Sequence, residues 1–127
     1  MLIHYEIKKN VVTIKMGQEI IEGILCGEIE LDNENSHILD NLFNELVPKG
    51  YLNYLLDLQN ISYIYSYGVS IVINTYKFLN ERDGKIKILN PSSFVRNLLD
   101  TLKMFNVFEV FVDEKQAIKS FNKKSFF

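Results

Sequence analysis

The sequence predicts an α/β fold: one mixed, mostly parallel sheet with an antiparallel hairpin at its N-terminal end and helices packed against it. Three observations predict this. After Pro48, short β-rich runs alternate with longer runs of helical period, and parallel neighbours need crossovers of that kind. Near the N-terminus, two β-rich runs are separated only by a turn residue, the pattern of a hairpin. The 127 residues are 47% hydrophobic and 24% charged, an ordinary globular balance for one domain with a sizeable core.

The elements follow in order. "HYEIKK" and "VVTIKM" flank Asn10 and predict the hairpin. "EIIEGILCGEIE" predicts a longer strand bent at Gly23. Ile38, Leu39, Leu42, Phe43, Leu46 and Val47 then recur at helical spacing, with Asp40, Asn41, Asn44 and Glu45 on the other face. "PKG" stops that helix. "YLLDL" is apolar except for Asp57, the mark of a strand covered on both faces. The next helix sets Val69, Val72, Ile73, Tyr76 and Leu79 on one side, and "RDG" ends it. "KIKIL" predicts a strand. "NPSS" opens a helix with Ser92 or Ser93 as its cap and Val95, Leu98, Leu99 and Leu102 inward. "VFEVFV" predicts the last strand and "DEKQAIKSF" a last helix capped by Asp113. Leu55, Leu56, Leu58, Ile86, Ile88, Val110 and Val112 are expected to line the sheet.

Several chemistries are disfavoured. The net charge is -2 and no basic stripe is present, which argues against direct nucleic-acid binding; the lysine pair Lys123 and Lys124 reads as a solvated end. No segment reaches the roughly 20 apolar residues needed to span a bilayer. The N-terminus lacks the apolar core of a signal peptide, so a cytoplasmic protein is expected. Cys26 is the only cysteine and reads as a small buried residue. His4 reads as an edge-strand residue and His37 as a helix-surface residue. Neither has neighbours that complete a triad or a metal-ligand set. There is no GxGxxG or Walker A loop. No cofactor, metal or enzymatic activity is expected.

The stretch "YIYSYGVS", Tyr63 to Ser70, carries the functional question. Ser66 stands where β character gives way to a helix. A lone serine with no base in reach is a poor nucleophile. As a helix N-cap it would accept from an unpaired amide of the first turn, worth about 1 kcal/mol. Tyr63, Tyr65 and Tyr67 alternate and read either as sheet-edge cover or as a partner surface.

The order of these stretches resembles the STAS domain family, which includes the anti-sigma-factor antagonists. The resemblance runs from about Val11 to Phe121, within a single STAS-like domain taken as residues 1–127. "LCGEIEL" resembles the family's G-E-L-D strand and turn, with Glu30 where the aspartate would stand. "YLLDLQNISYIYSYGVSIVINTYKFLNERDGKIKIL" resembles its strand, D-S-S-G-L loop, helix and next strand. "NPSSFVRNLLDTLKMFNVFEVFVDEKQAI" resembles its closing part. The loop itself departs: Tyr65-Ser66-Tyr67-Gly68-Val69 replaces D-S-S-G-L. The resemblance places Ser66 on the position that is phosphorylated in regulatory members. It implies a partner, an anti-sigma factor with serine kinase activity, whose binding phosphorylation abolishes. Gly68 is then expected to let a partner backbone approach. The alternative use of the fold is an unphosphorylated scaffold within a larger complex, such as a cytoplasmic subunit of a membrane transporter. Loops at the carboxyl ends of parallel strands gather on one rim. The expected partner surface is therefore Tyr65, Ser66, Tyr67, Gly68, a turn from Glu28 to Asp32, and the Asn90–Ser93 loop including Ser92. The sequence leaves the identity of the partner and the oligomeric state open.

Overall fold

The computed structural model describes residues 1–122. Strands β1 (Leu2–Lys8) and β2 (Val11–Gly17) form the expected antiparallel hairpin. Lys9 and Asn10 turn it with φ of 52° and 65°, the left-handed pair that a two-residue hairpin requires. β2 is buried along almost its whole length, because a second strand lies beside it and helices cover its face.

The segment expected as one bent strand is three. β3 (Glu19–Ile21) and β4 (Ile24–Cys26) make a short hairpin of their own, turned at Glu22 and Gly23, both with positive φ. Gly27, at φ 91°, then leads the chain out of this hairpin toward β5 (Ile29–Leu31). The X-Gly pair is a two-residue hairpin turn, not a bend within a strand. Cys26 is half-buried, less enclosed than expected.

Helix α1 (Ser36–Leu46) follows, and a single tight turn over Val47–Lys49 closes on Gly50 at φ 95°. β6 (Asn53–Asp57) leads through Leu58–Asn60 into β7 (Ile61–Ile64), a strand the sequence reading did not separate from the loop. Helix α2 (Ser66–Asn80), β8 (Lys85–Leu89), α3 (Ser93–Thr101), β9 (Val110–Phe111) and α4 (Glu114–Phe121) complete the described chain. The expected last strand from Val107 to Val112 thus shrinks to two residues, and Val112 is 71% exposed rather than lining the sheet. Leu58 is buried just past the end of β6, and Leu102 lies exposed beyond α3. Lys123 and Lys124 lie outside the described residues.

The main sheet has the order β1-β2-β6-β8-β9. Only the β1–β2 pair is antiparallel; β2–β6, β6–β8 and β8–β9 are parallel. On one face Val12, Ile14, Met16, Tyr54, Leu56, Ile86 and Ile88 pack with Leu39, Phe43 and Leu46 of α1, Ile71, Val72 and Leu79 of α2, and Val95 and Leu99 of α3. On the other face Val11, Leu55 and Leu89 pack under Ala117 and Ile118 of α4. Covering both faces is what buries Tyr54, Leu55 and Leu56 in succession in β6, and Ile86 through Leu89 in β8. The charged residue among these is Lys87, 3% exposed, whose Nζ donates to Ser120 Oγ at 2.8 Å and sits 3.6 Å from Glu109. Two small sheets flank the main one: β3 with β4, and β5 parallel to β7. The β5–β7 pair sets the start of α2.

Candidate functional site

β7 ends at Ile64, and the next amide, Tyr65 N, donates to Leu31 O at 2.9 Å. That bond ties the end of β7 to the end of β5. Tyr65 is extended, with φ -82° and ψ 169°, and α2 begins at the following residue. The first intrahelical bond is Val69 N to Tyr65 O at 3.0 Å. Tyr65, not Ser66, is therefore the capping position, and its side chain makes no capping bond. The expectation that Ser66 caps the helix is corrected: a cap must precede the helical residues, and Leu31 fixes that role one residue earlier. Ser66 is the first helical residue and is exposed. Its hydroxyl joins no hydrogen bond among the described residues. The amides of Ser66, Tyr67 and Gly68 precede the first intrahelical bond, so the helix supplies no partners for them. With the helix dipole they favour negative charge at this point.

Tyr65 and Tyr67 are 43% and 41% exposed on either side of Ser66. Gly68 is buried. A Cβ there would lie 3.0 Å from Ile64 Cγ2 and 3.1 Å from Leu31 Cγ. The glycine lets α2 pack closely on β5 and β7; it is not a surface for a partner's backbone to approach.

The remaining expected residues divide between the fold and the surface. Glu28 to Asp32 is not a turn: β5 occupies most of it, so exposed Glu28 and half-buried Asp32 stand at opposite ends of a strand. The Asp32 carboxylate accepts from Glu34 N at 2.9 Å and Asn35 N at 3.0 Å, holding the entry to α1. Asn90 lies beyond β8 at φ 49°, its amide donating to Phe111 O at 2.9 Å. Ser92 is the cap of α3: its Oγ accepts from Val95 N at 3.3 Å and donates to Ile61 O at 2.9 Å. It thus fastens α3 to the first residue of β7, whereas Ser66 lies beyond the strand's other end, after Tyr65.

Register places Glu30 opposite Tyr63. The rings of Tyr63 and Tyr65 meet edge to face at 5.0 Å. The Glu30 carboxylate holds the Tyr65 phenol above its ordinary pKa, first by hydrogen bonding and then by charge. Glu30, Ser62, Tyr63, Tyr65 and Phe94 line one open depression. Phe94, 68% exposed in the first turn of α3, was missed. Periodicity gave no signal for it, since Phe94 stands four residues before Leu98, at the margin of the inward stripe. The site thus joins a free hydroxyl, uncovered aromatic rings and a carboxylate at the ends of β5 and β7. Among the described residues no side chain is hydrogen-bonded to the Ser66 hydroxyl to activate it, and exposed rings beside a carboxylate are groups that protein surfaces use in recognition.

Comparison with known proteins adds the following. Residues 10–117 match the family model of the STAS domain. The chain is 23% identical over 108 residues to an anti-sigma F factor antagonist of Paenibacillus polymyxa, covering 83% of this chain and 92% of that protein. Among solved structures, a candidate anti-sigma factor antagonist of Thermotoga maritima superposes with a TM-score of 0.79 at 21% identity, covering 94% of each chain. The anti-sigma factor antagonist SpoIIAA in its unphosphorylated form superposes with a TM-score of 0.75 at 18% identity, covering 98% of this chain and 100% of that one. SpoIIAA of Bacillus in its phosphorylated form gives 0.69 at 18% identity, covering 94% and 98%.

Proposed function

The chain belongs to the STAS domain family, and from that premise we propose that it is an anti-sigma-factor-antagonist-like regulator switched by phosphorylation of Ser66. In its unmodified state it binds an anti-sigma factor that carries serine kinase activity. The binding surface is centred on Tyr65, Ser66 and Tyr67. The observation that carries this reading is the state of Ser66: first residue of α2, exposed, its hydroxyl unused by the fold. In the transfer, Ser66 Oγ attacks the terminal phosphorus of ATP held by the partner. The bridging P–O bond breaks, ADP leaves, and the serine proton passes to a base on the kinase. The product carries nearly two negative charges. The three amides at the helix start and the dipole favour them, so the helix stays formed. A docked partner, by contrast, must desolvate the charge. The relatives named as anti-sigma factor antagonists support the partner class. No described helix is long and apolar enough to cross a membrane.

The flanking Tyr65 and Tyr67 favour one second reading, because they stand where the family commonly carries an aspartate and a hydroxyl for a kinase to read. In that reading the chain is an unphosphorylated scaffold subunit. Intact-mass spectrometry after incubation with the candidate kinase and ATP separates the two. Wild type gains one phosphoryl group and Ser66→Ala gains none. Ser66→Asp binds the partner about tenfold or more weakly. No mass gain with any cognate kinase, together with unweakened binding by Ser66→Asp, assigns the protein to the scaffold class.

A further inference from the structure

We propose that the depression beside Ser66 receives an arginine side chain of the protein partner. Its lining is aromatic and acidic: Tyr63, Tyr65 and Phe94 with Glu30 and Ser62, and no lysine or arginine. Phe94 is 68% exposed and the two tyrosines are over a third exposed, so three rings stand uncovered in one place. Aromatic faces attract cations, and Glu30 adds a formal negative charge. The Tyr65 phenol pKa is raised, chiefly by Glu30 and least by Asp32, in accord with negative potential there. A neutral apolar group would fill the depression but leave that potential unmatched. Arginine suits it better than lysine, since a guanidinium is planar, stacks on rings and sheds water more readily. The protein makes this contact elsewhere: Arg82 Cζ lies 3.5 Å above the Phe78 ring. Phe94 has no such cation of its own among the described residues.

The inference rests on the partner-binding reading for the place of the site, but its test uses neither kinase nor partner. Isotopically labelled protein is titrated with the peptide acetyl-Gly-Arg-Gly-amide and, separately, with the same peptide carrying neutral citrulline, while NMR shifts are followed. The arginine peptide should give saturable shifts at Glu30, Tyr63, Tyr65 and Phe94 with a dissociation constant on the order of millimolar. The citrulline peptide should give none. Glu30→Gln and Phe94→Ala, both at exposed positions, should weaken the response about threefold or more. Absence of shifts at these residues, equal shifts with citrulline, or indifference to both substitutions overturns the inference. If the shifts appear while Ser66 takes up no phosphoryl group, the cation site stands and the switch falls. If Ser66 is modified and no shifts appear, the reverse holds.

Discussion

Ser66 and Ser92 both open helices, and the structure gives their hydroxyls opposite weights. The perturbation is the same in each case, serine to alanine. Ser92 Oγ accepts from Val95 N at 3.3 Å and donates to Ile61 O at 2.9 Å. Losing the cap costs about 1 kcal/mol. Losing the donor leaves the Ile61 carbonyl without that bond, in a residue that is 1% exposed, for about another 1 kcal/mol at the low end of such penalties. The total for Ser92→Ala is about 2 kcal/mol, or roughly 6–10 °C of Tm for a domain of this size. Ser66 caps nothing, so Ser66→Ala should stay within about 0.5 kcal/mol of wild type. Urea unfolding followed by far-UV circular dichroism reads both values, with equal slopes as the check that only stability has changed. Ser66→Ala costing as much as Ser92→Ala would refute the reasoning: the Ser66 hydroxyl would then belong to the fold, and its freedom to act as a switch would lose its basis.

Two further predictions concern the scaffold beneath the site. Burial raises the Asp57 pKa above its ordinary 3.8, so the folded state holds the proton more tightly than the unfolded. Stability then falls as pH rises through the window just above 3.8, and the penalty is complete once the raised pKa is passed. Asp57→Asn can keep the bond from Gln59 N; it should flatten that fall and raise the urea midpoint at neutral pH, and an unchanged pH profile would count against burial as the cause. Gly84→Ala should cost about 3 kcal/mol, because the new Cβ would run into Leu52 O, the backbone acceptor for Lys85 N; a thermal melt within about 2 °C of wild type contradicts that clash.

Most of the main sheet was legible because its signals are local. β2, β6 and β8 are short stretches rich in Val, Ile, Leu and Tyr, and α1 and α2 repeat their apolar residues at helical spacing. The β5–β7 pair was not legible. It joins three residues to four across a gap of about thirty positions, and neither run is long enough to show a period. Yet that pair decides the site. Because Leu31 O takes the Tyr65 amide, the cap falls on Tyr65 and Ser66 enters the helix. Sequence alone puts Ser66 at the boundary but gives no reason to choose a side. Glu22-Gly23 is different: only its glycine marks a turn, and glutamate is an unusual residue for the left-handed position it takes.

The same long-range pairing separates the residues that build this corner from those free to meet a partner. Gly68 is spent on the approach of α2 to Leu31 and Ile64, Asp32 on the entry to α1, and Ser92 on fastening α3 to β7. Tyr65, Ser66, Tyr67 and Phe94 are exposed, and none of their side chains caps a helix. The division has a mechanical consequence. A charge placed on Ser66 breaks no bond that holds α2 to β5 and β7, and the helix start tolerates it. Its free-energy cost therefore falls on whatever covers the surface, not on the fold. A switch of this kind requires no conformational change in the protein that carries it. Crystal or solution structures of wild type and Ser66→Asp should superpose around α2, even where their affinities for a partner differ.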